Sequence, residues 1–347
     1  MSTPALSAPP ADSTPDPTDR EALPPARRTR SLRRSVLNWT LVLAVLLLPG
    51  FLLPQYPLYV ASLTLLYVIS ATGLNLVLGY AGQISLAQAA MMGIGAYTVA
   101  LTNGDLPFLV ALVLAGMVGF LVGLVIGLPA LRVKHHYLAM VTLGFQTIFV
   151  LFVLNEEGLT GGSLGVADIS RPTLGPLSLE ADYAYYMFIA VLCFFVLLGV
   201  HWLLNSQWAR AFKGIRWNEK RAASVGVDVK TYKLLAFAIG SALAALAGAL
   251  FAGLLGYVDP TSFTFQLSLL FLLMVLLGGL GRFEGAIIGA VLVGALPELL
   301  RVSEDKALIY FAAAGILILL FLPRGLVTVI DFTFERILHR PRPQMTK

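Results

Sequence analysis

The sequence is poor in charge. Only 12% of its 347 residues are Asp, Glu, Lys or Arg, whereas soluble domains carry roughly a quarter. Cysteine is scarcer still, because Cys193 is the single one, and this excludes an internal disulfide and any multi-cysteine metal site. Hydrophobic residues make up 58% of the sequence, which also contains 32 glycines. This composition predicts an all-α fold of the polytopic membrane class.

The sequence also lacks a nucleotide-binding motif and a catalytic cluster. It contains no G-x-x-x-x-G-K-[ST] or H-E-x-x-H pattern, and although residues 161–165 match G-x-S-x-G, no Ser/His/Asp cluster is visible in one region. His135 and His136 are adjacent, so on a helix they face different ways, and no acid or cysteine is near them in sequence. We therefore expect no catalytic residues, no metal and no cofactor of its own. A membrane enzyme or scaffold is disfavoured, and active transport would need an ion gradient or a separate ATPase.

Apolar runs long enough for a bilayer, which requires about 20 residues, occur ten times. They lie at 36–53, 58–78, 84–101, 107–128, 137–154, 183–204, 234–258, 265–280, 285–300 and 307–322. Very short, glycine-rich connections join the second run to the third and the eighth to the ninth. We therefore leave open whether 84–101 and 285–300 span fully or form re-entrant or broken helices.

The distribution of Lys and Arg supports ten spans. With the N-terminus inside, 21 of the 24 Lys/Arg fall on the inner side, the exceptions being Arg171, Arg301 and Lys306. Residues 1–34, rich in Pro, Ala, Ser and Thr, predict a disordered cytoplasmic tail with a basic end. Residues 35–326 then form the transmembrane domain, and 327–347 a second cytoplasmic tail.

The 19 acidic residues avoid the middle of every predicted span. Ion- and proton-coupled carriers usually need buried ionisable groups for the coupling ion. Their absence disfavours a secondary transporter of small solutes acting alone. That alternative stays open, because backbone and hydroxyl oxygens also bind sodium.

The longest strongly charged segment between two apolar runs is 205–233. Its basic residues are Arg210, Lys213, Arg216, Lys220, Arg221, Lys230 and Lys233. Within it, 218–226 predicts a short helix, with Asn218 as N-cap, Glu219 at the positive end and Gly226 as a left-handed stop. Two turns are too short to be stable alone in water. We therefore expect this helix to dock, either on its own protein or on a partner.

Three glycine-rich stretches each allow two interpretations. The stretch 79–88 is either a bend lining a polar path or a tight turn for helix packing. Thr160, Gly161 and Gly162 lie in the longest outer loop, which is either an acidic surface for a partner or an ordinary loop. The four-residue steps at 281, 285 and 289 predict a small-residue face for close helix packing.

Six blocks in a fixed order carry a family resemblance. They read GYAGQISLAQAAMMGIGAYT, LRVKHHYLAMVTLGF, LTGGSLGV, RAFKGIRWNEKRAASVGVDVKTYK, LLGGLGRFEGAIIGA and FLPRG. Together, from about residue 58 to 326, they closely resemble the LivM-type permease subunit of bacterial branched-chain amino-acid ABC importers. The family also includes urea and short-chain amide permeases, so the resemblance leaves the substrate open among these solutes.

The resemblance implies a bacterial inner-membrane machine with several partners. These are a second, LivH-type permease, two ATP-binding subunits that hold the ATP, and a periplasmic substrate-binding protein. The segment 205–233 resembles the family's cytoplasmic coupling loop, and its short helix the coupling helix. This implies ATPase contacts at Asn218, Glu219, Ala222, Ala223 and Gly226.

The translocation path and the outer docking surface complete the expected sites. For the path we name uncharged polar groups and one glycine near span ends or inside spans: Gly82, Gln83, Ser85, Thr142 and Gln146. Such groups suit a zwitterion that passes without a tight site. For docking of the periplasmic binding protein we name Thr160, Gly161 and Gly162.

Overall fold

The computed structural model describes residues 32–130, 135–171, 173–174, 177–299 and 326. The chain divides into two compact units, Met1–Leu41 and Val42–Lys347. Of the first unit, only the start of the first helix belongs to the described residues. Apart from this helix, all features described below lie in the second unit.

Over the described residues the chain is helical, apart from one short antiparallel hairpin of two-residue strands. The α-helices are α1 (Leu32–Leu52), α2 (Gln55–Leu74), α3 (Gln88–Leu101), α4 (Phe108–Ala130), α5 (His135–Asn155), α6 (Glu157–Thr160), α7 (Asp182–Asn205), α8 (Gln207–Trp217), α9 (Glu219–Ser224), α10 (Val229–Leu255), α11 (Phe265–Gly278) and α12 (Phe283–Leu299). A π-helical turn, Asn75–Tyr80, extends α2, and 3-10 turns lie at Gly162–Leu164 and Pro260–Phe263. The strands are β1 (Thr173–Leu174) and β2 (Leu177–Ser178). The predicted helical fold class is confirmed.

Nine of the ten predicted apolar runs coincide with helices of the described chain. Five helices are long and apolar enough to cross a membrane: Gln55–Tyr80, Phe108–Pro129, Tyr137–Asn155, Asp182–Asn205 and Val229–Leu255. Four apolar helices are shorter: Trp39–Leu52, Gln88–Leu101, Phe265–Gly278 and Phe283–Gly294. The tenth run, 307–322, lies outside the described residues, as do 1–31 and 327–347.

The third run, 84–101, is helical only in its later part, and whether it spans fully, is re-entrant or is broken stays a prediction. Residues 81–87 are not helical, and α3 begins only at Gln88. Because irregular backbone inside a helix bundle must find hydrogen-bond partners there, this stretch needs side chains from neighbouring helices.

The hairpin of α11 and α12 packs through glycine. A Cβ on Gly278 would overlap the carbonyl of Gly285, and one on Gly289 would overlap the carbonyl of Met274. The predicted small-residue face is therefore confirmed at Gly285 and Gly289. Gly281 differs, because its φ of +73° places it in the turn between the helices.

Helix α10 is the centre of the bundle and packs against α2, α3 and α4. The backbones of α10 and α3 are in direct contact. A Cβ on Gly95 would overlap the carbonyl of Ala245, and one on Gly248 would overlap the carbonyl of Met92. Small residues at such positions let helix backbones approach, and van der Waals packing then holds the helices together in lipid.

The bundle has two ends with different architecture. At the helix-pair end lie α8, α9 and two glycine turns, 79–82 and 279–282. At the loop end lie the connections 102–107, 156–171 and 256–259. There Val166 and Val258 form an antiparallel bridge with two backbone bonds of 2.9 Å. The amide of Asn103 joins these connections by donating to the carbonyl of Asp168 at 2.8 Å.

Candidate functional site

The charged segment 205–233 contains α8, α9 and the start of α10, and of the two short helices only α9 was predicted. Helix α8 was missed, although Trp208, Phe212 and Ile215 recur at the four- and three-residue steps of an apolar helix face. Phe212 is fully buried and packs in a cluster with Tyr80 and Ala236, with Trp208 against its edge. Helix α8 therefore lies on the end of the bundle with one face covered and its basic face exposed.

Helix α9 is short but capped at both ends. The Asn218 side chain accepts a hydrogen bond from the backbone nitrogen of Arg221 at 3.0 Å. Gly226 has φ +84°, and its N–H donates to the carbonyl of Ala223 at 3.0 Å. The N–H of Val227 donates to the carbonyl of Ala222 at 3.1 Å, which completes a Schellman motif. Both predicted caps are confirmed.

Helix α9 is also anchored to the start of α10. Glu219 and Lys233 form an ion pair of 2.5 Å. Ala222 is buried against the protein, whereas Ala223 and Gly226 are exposed. The predicted coupling residues thus divide into an anchoring side and an outward side. Val225, 78% exposed, adds an apolar side chain to the outward side, and exposed apolar groups of this kind suit contact with another protein.

Asp228 fixes the junction between α9 and α10. One carboxylate oxygen accepts from the backbone nitrogens of Lys230 at 3.2 Å and Thr231 at 3.4 Å, while the other accepts from the Thr231 hydroxyl at 2.5 Å. These bonds, the Thr231 hydroxyl first, lower the pKa of Asp228 below its usual value. The carboxylate is therefore ionised at neutral pH and caps the positive end of α10.

The predicted path residues Gln83, Ser85, Thr142 and Gln146 are all buried. The Thr142 hydroxyl accepts from the backbone nitrogen of Leu86 at 3.0 Å. This bond supplies one of the partners that the non-helical stretch 81–87 requires. Thr142 thus stabilises the non-helical stretch that leads into α3. Its role in a translocation path stays a prediction.

Gln146 lies midway along α5 and joins two helix starts. Its side-chain oxygen accepts from the backbone nitrogen of Ala90 at 2.8 Å, and its side-chain nitrogen donates to the carbonyl of Phe263 at 2.7 Å. The Ser268 hydroxyl donates to the same oxygen at 3.1 Å and accepts from the nitrogen of Ala89 at 2.9 Å. Ser268 was missed, because no local pattern links it to a residue so far away in sequence.

Gly82 and Gln83 lie where the chain leaves the π-helical turn. Gly82 has φ +70°, so it takes the left-handed conformation that glycine favours. The side-chain oxygen of Gln83 is buried and has no hydrogen-bond partner within the described part of the chain. An unpaired buried oxygen is costly, and it marks Gln83 as the path candidate with free hydrogen-bonding capacity.

The predicted docking residues Thr160, Gly161 and Gly162 lie at the loop end, away from α9. The buried Thr160 hydroxyl lies within hydrogen-bond distance of the carbonyls of Val153, at 2.7 Å, and Glu156, at 2.6 Å. Gly161 and Gly162 both have positive φ, +71° and +57°. The Thr160 hydroxyl thus ties this turn to the end of α5, and Leu164 just beyond it is 81% exposed.

Comparison with known proteins decides the family. Residues 56–322 match the family described as the permease component of the branched-chain amino acid transport system. The chain belongs to this permease family. The family is one of transport permeases, which is not an enzyme class, and the resemblance seen in the sequence is confirmed.

Individual relatives agree with the family match. The high-affinity branched-chain amino acid transport system permease protein LivM of Salmonella typhimurium is 33% identical over 302 residues, 80% of this chain and 71% of LivM. The corresponding LivH of Escherichia coli is 27% identical over 289 residues, 75% and 91% of the two chains. The ribose import permease protein RbsC of Haemophilus influenzae is 23% identical over 299 residues, 83% and 90%. No solved structure matches.

Proposed function

We propose that this chain is the permease subunit of an ABC importer that moves branched-chain amino acids into the bacterial cytoplasm. The observation that carries this proposal is its 33% identity, over 80% of its length, to a LivM permease named for that transport. The sequence has no phosphate-binding loop. In this proposal ATP is bound by two separate subunits, which supply the energy.

In this proposal the helix-pair end faces the cytoplasm and receives the ATP-binding subunits. The seven basic residues of 205–233 support that side by the positive-inside rule. The exposed Ala223, Val225 and Gly226 would contact the ATPase, while the buried Ala222 and the Glu219–Lys233 pair anchor α9 to the permease. Closure of the ATPases would then move α8 and α9 as a body against the spans α7 and α10.

The loop end would face the periplasm and receive the substrate-binding protein at Thr160, Gly161 and Gly162. A LivH-type permease would complete the translocation path, for which the candidates are Gly82, Gln83, Ser85, Thr142 and Gln146. Uncharged polar groups of this kind support passage of a zwitterion without a tight site.

The same proposal sets the topology at ten spans in the inner membrane, with both termini cytoplasmic. The nine apolar helices of the described chain and the tenth apolar run at 307–322 support that number. The distribution of Lys and Arg supports the orientation.

Reconstitution tests the function. The four kinds of subunit are assembled in liposomes, with the binding protein outside and ATP inside, and uptake of radiolabelled leucine is measured. We expect uptake that requires ATP and every subunit, and that unlabelled isoleucine or valine suppresses.

Two results would contradict the proposal. ATP-dependent uptake of radiolabelled urea or acetamide, with no uptake of leucine, would assign the importer to another solute. Uptake by this chain alone under a sodium or proton gradient would instead support the secondary transporter. Omitting each subunit in turn shows whether uptake needs the complete importer or this chain alone.

A further inference from the structure

Arg216 lies in the last turn of α8, where remote segments of the chain meet. Its guanidinium Nη1 donates to the carbonyl of Gly79, 137 positions earlier in the chain. Gly79 belongs to the π-helical turn that ends α2. The last carbonyls of a helix carry partial negative charge, so a guanidinium at this position is electrostatically favoured.

The same side chain abuts a second turn, between α11 and α12. A Cβ on Gly281 would overlap Nη1 of Arg216, and one on Gly82 would lie 3.4 Å from its Cγ. Gly82 and Gly281 have φ of +70° and +73°. Arg216 therefore fits against two left-handed glycines that belong to different turns.

Asn75 ties the two turns to each other. Its side-chain oxygen accepts from the backbone nitrogen of Gly281 at 3.0 Å, and its side-chain nitrogen donates to the carbonyl of Arg282 at 2.8 Å. A Cβ on Gly79 would lie 2.5 Å from the nitrogen of Gly281. With bonds on both sides and no spare volume, the turns 79–82 and 279–282 are held as one unit.

This unit lies at the ends of several helices. It ends α2, leads through the non-helical stretch 81–87 into α3, and connects α11 to α12. Helix α8, by contrast, is separated from α9 by Asn218 alone, and α9 carries the exposed Ala223 and is followed by the exposed Val225. The hydrogen bond from Arg216 to Gly79 is therefore a polar link between the outward helix pair and the bundle.

We infer that Arg216 is the positioning residue that transmits movement of α8 and α9 to the joined glycine turns, and so to the ends of α2 and α11. The inference rests on the proposed function, in which the ATP-binding subunits move α8 and α9. Lys213 lies one turn before Arg216, with its ammonium 5.7 Å from the centre of the Tyr80 ring. It adds a weaker contact to the same region.

Three substitutions distinguish a role of Arg216 in transmitting movement from a role in packing and from the effect of its charge. Arg216→Met keeps an apolar stem but removes every donor, and Arg216→Lys keeps the charge with a single donor group. Arg210→Met removes the same charge from an exposed position on α8 and is the control. Each variant is measured in the complete complex in liposomes, as leucine imported per ATP hydrolysed.

We expect Arg216→Met to lower leucine import per ATP about tenfold, the order of effect that follows loss of a hydrogen bond to a charged group. ATP hydrolysis and assembly should stay near wild type. Arg216→Lys should restore part of the import, and Arg210→Met should resemble the wild type.

Hydrogen exchange gives a second measurement that does not depend on the substrate. Trapping the wild-type complex with ATP and vanadate should change amide exchange in 79–83 and 279–283 as well as in 207–226. In the Arg216→Met complex the change should stay within 207–226. The exchange measurement decides the role of Arg216 even if the wild-type complex imports no leucine. Failure to import leucine would count against the proposed function and not against this role.

Two outcomes would overturn the inference. One is wild-type import per ATP by the Arg216→Met complex, together with wild-type exchange changes in both turns. The other is failure of both Arg216→Met and Arg216→Lys to assemble with the ATP-binding subunits, because Arg216 would then serve folding and not transmission.

Discussion

The side-chain oxygen of Gln146 accepts a hydrogen bond from the backbone nitrogen of Ala90 at 2.8 Å, across 56 positions of sequence. The bond joins the middle of α5 to the first turn of α3, a helix that begins inside the bundle. The first N–H groups of a helix have no partner within it. Gln146 supplies a partner for one of these N–H groups. Its side-chain nitrogen also donates to the carbonyl of Phe263, just before α11.

Replacing Gln146 by methionine should therefore destabilise the protein. Gln146→Met keeps the volume but leaves the nitrogen of Ala90 and the carbonyl of Phe263 without this partner. Each unsatisfied buried group costs roughly 1–3 kcal/mol. We expect the midpoint of thermal unfolding of the purified complex to fall by several degrees. Thr147→Val, on the exposed side of the same helix, is the control, and equal midpoints for the two variants would contradict the bracing role.

The close contact of α3 and α10 predicts opposite effects for two glycine-to-alanine changes. Gly248→Ala places a methyl group on the carbonyl of Met92, so the helices must separate. Overpacking of this kind costs about 1–3 kcal/mol. At Gly199, in α7, nothing lies within 4 Å of the added carbon, and Gly199→Ala should be neutral or slightly stabilising.

Thermal unfolding of the two purified variants measures the difference. Both changes have the same chemistry and both sites are helical, so intrinsic helix propensity cancels. A stability of Gly248→Ala equal to that of Gly199→Ala would show that α3 and α10 are not in backbone contact.

The parts of the molecule that the sequence predicted correctly are those fixed by neighbours in the chain. Asn218 and Gly226 cap α9 because a side-chain oxygen and a left-handed glycine act within a few residues. The apolar runs likewise predicted nine helices. Helix α8 was within reach, since Trp208, Phe212 and Ile215 carry its periodicity.

The parts that could not be predicted depend on contacts between distant segments. Nothing near Arg216 in sequence indicates that its partner is the carbonyl of Gly79. Nothing near Gln146 in sequence indicates that it forms hydrogen bonds with the backbone at the start of α3 and just before α11. The glycines at 79, 82 and 281 do predict turns, but only the fold shows that these turns are joined by Asn75.

The outward side of α9 predicts a selective effect on ATPase binding. Ala223 is exposed, so Ala223→Trp disturbs no packing within the described chain but obstructs a docked partner. We expect the ATP-binding subunits to be lost when the tagged permease is purified, while its own level in the membrane stays unchanged.

Ala167→Trp is the matched control for Ala223→Trp. Ala167 is also exposed but lies in the loop 156–171 at the opposite end of the bundle. This variant should keep the ATP-binding subunits. Loss of the subunits from both variants, or from neither, would contradict the assignment of α9 as the coupling helix.

The two ends of the bundle should lie on opposite sides of the membrane, and the single cysteine makes this measurable. Cys193 is buried, so Cys193→Ala gives a cysteine-free background at the modest cost of a small cavity, on the order of 1 kcal/mol. Into this background are placed Gln207→Cys, exposed at the start of α8, or Ala167→Cys, exposed in the loop 156–171. Leucine uptake by the background confirms that the fold is kept.

A maleimide that does not cross membranes then reports the side of each position. In right-side-out vesicles it should label Ala167→Cys and spare Gln207→Cys, and in inverted vesicles the order should reverse. The reason is that α7 and α10 run the length of the bundle between these ends, and the positive-inside rule favours the inner side for the basic segment 205–233. Labelling of both positions from the same side would contradict the proposed topology, and labelling of Gln207→Cys from outside alone would invert it.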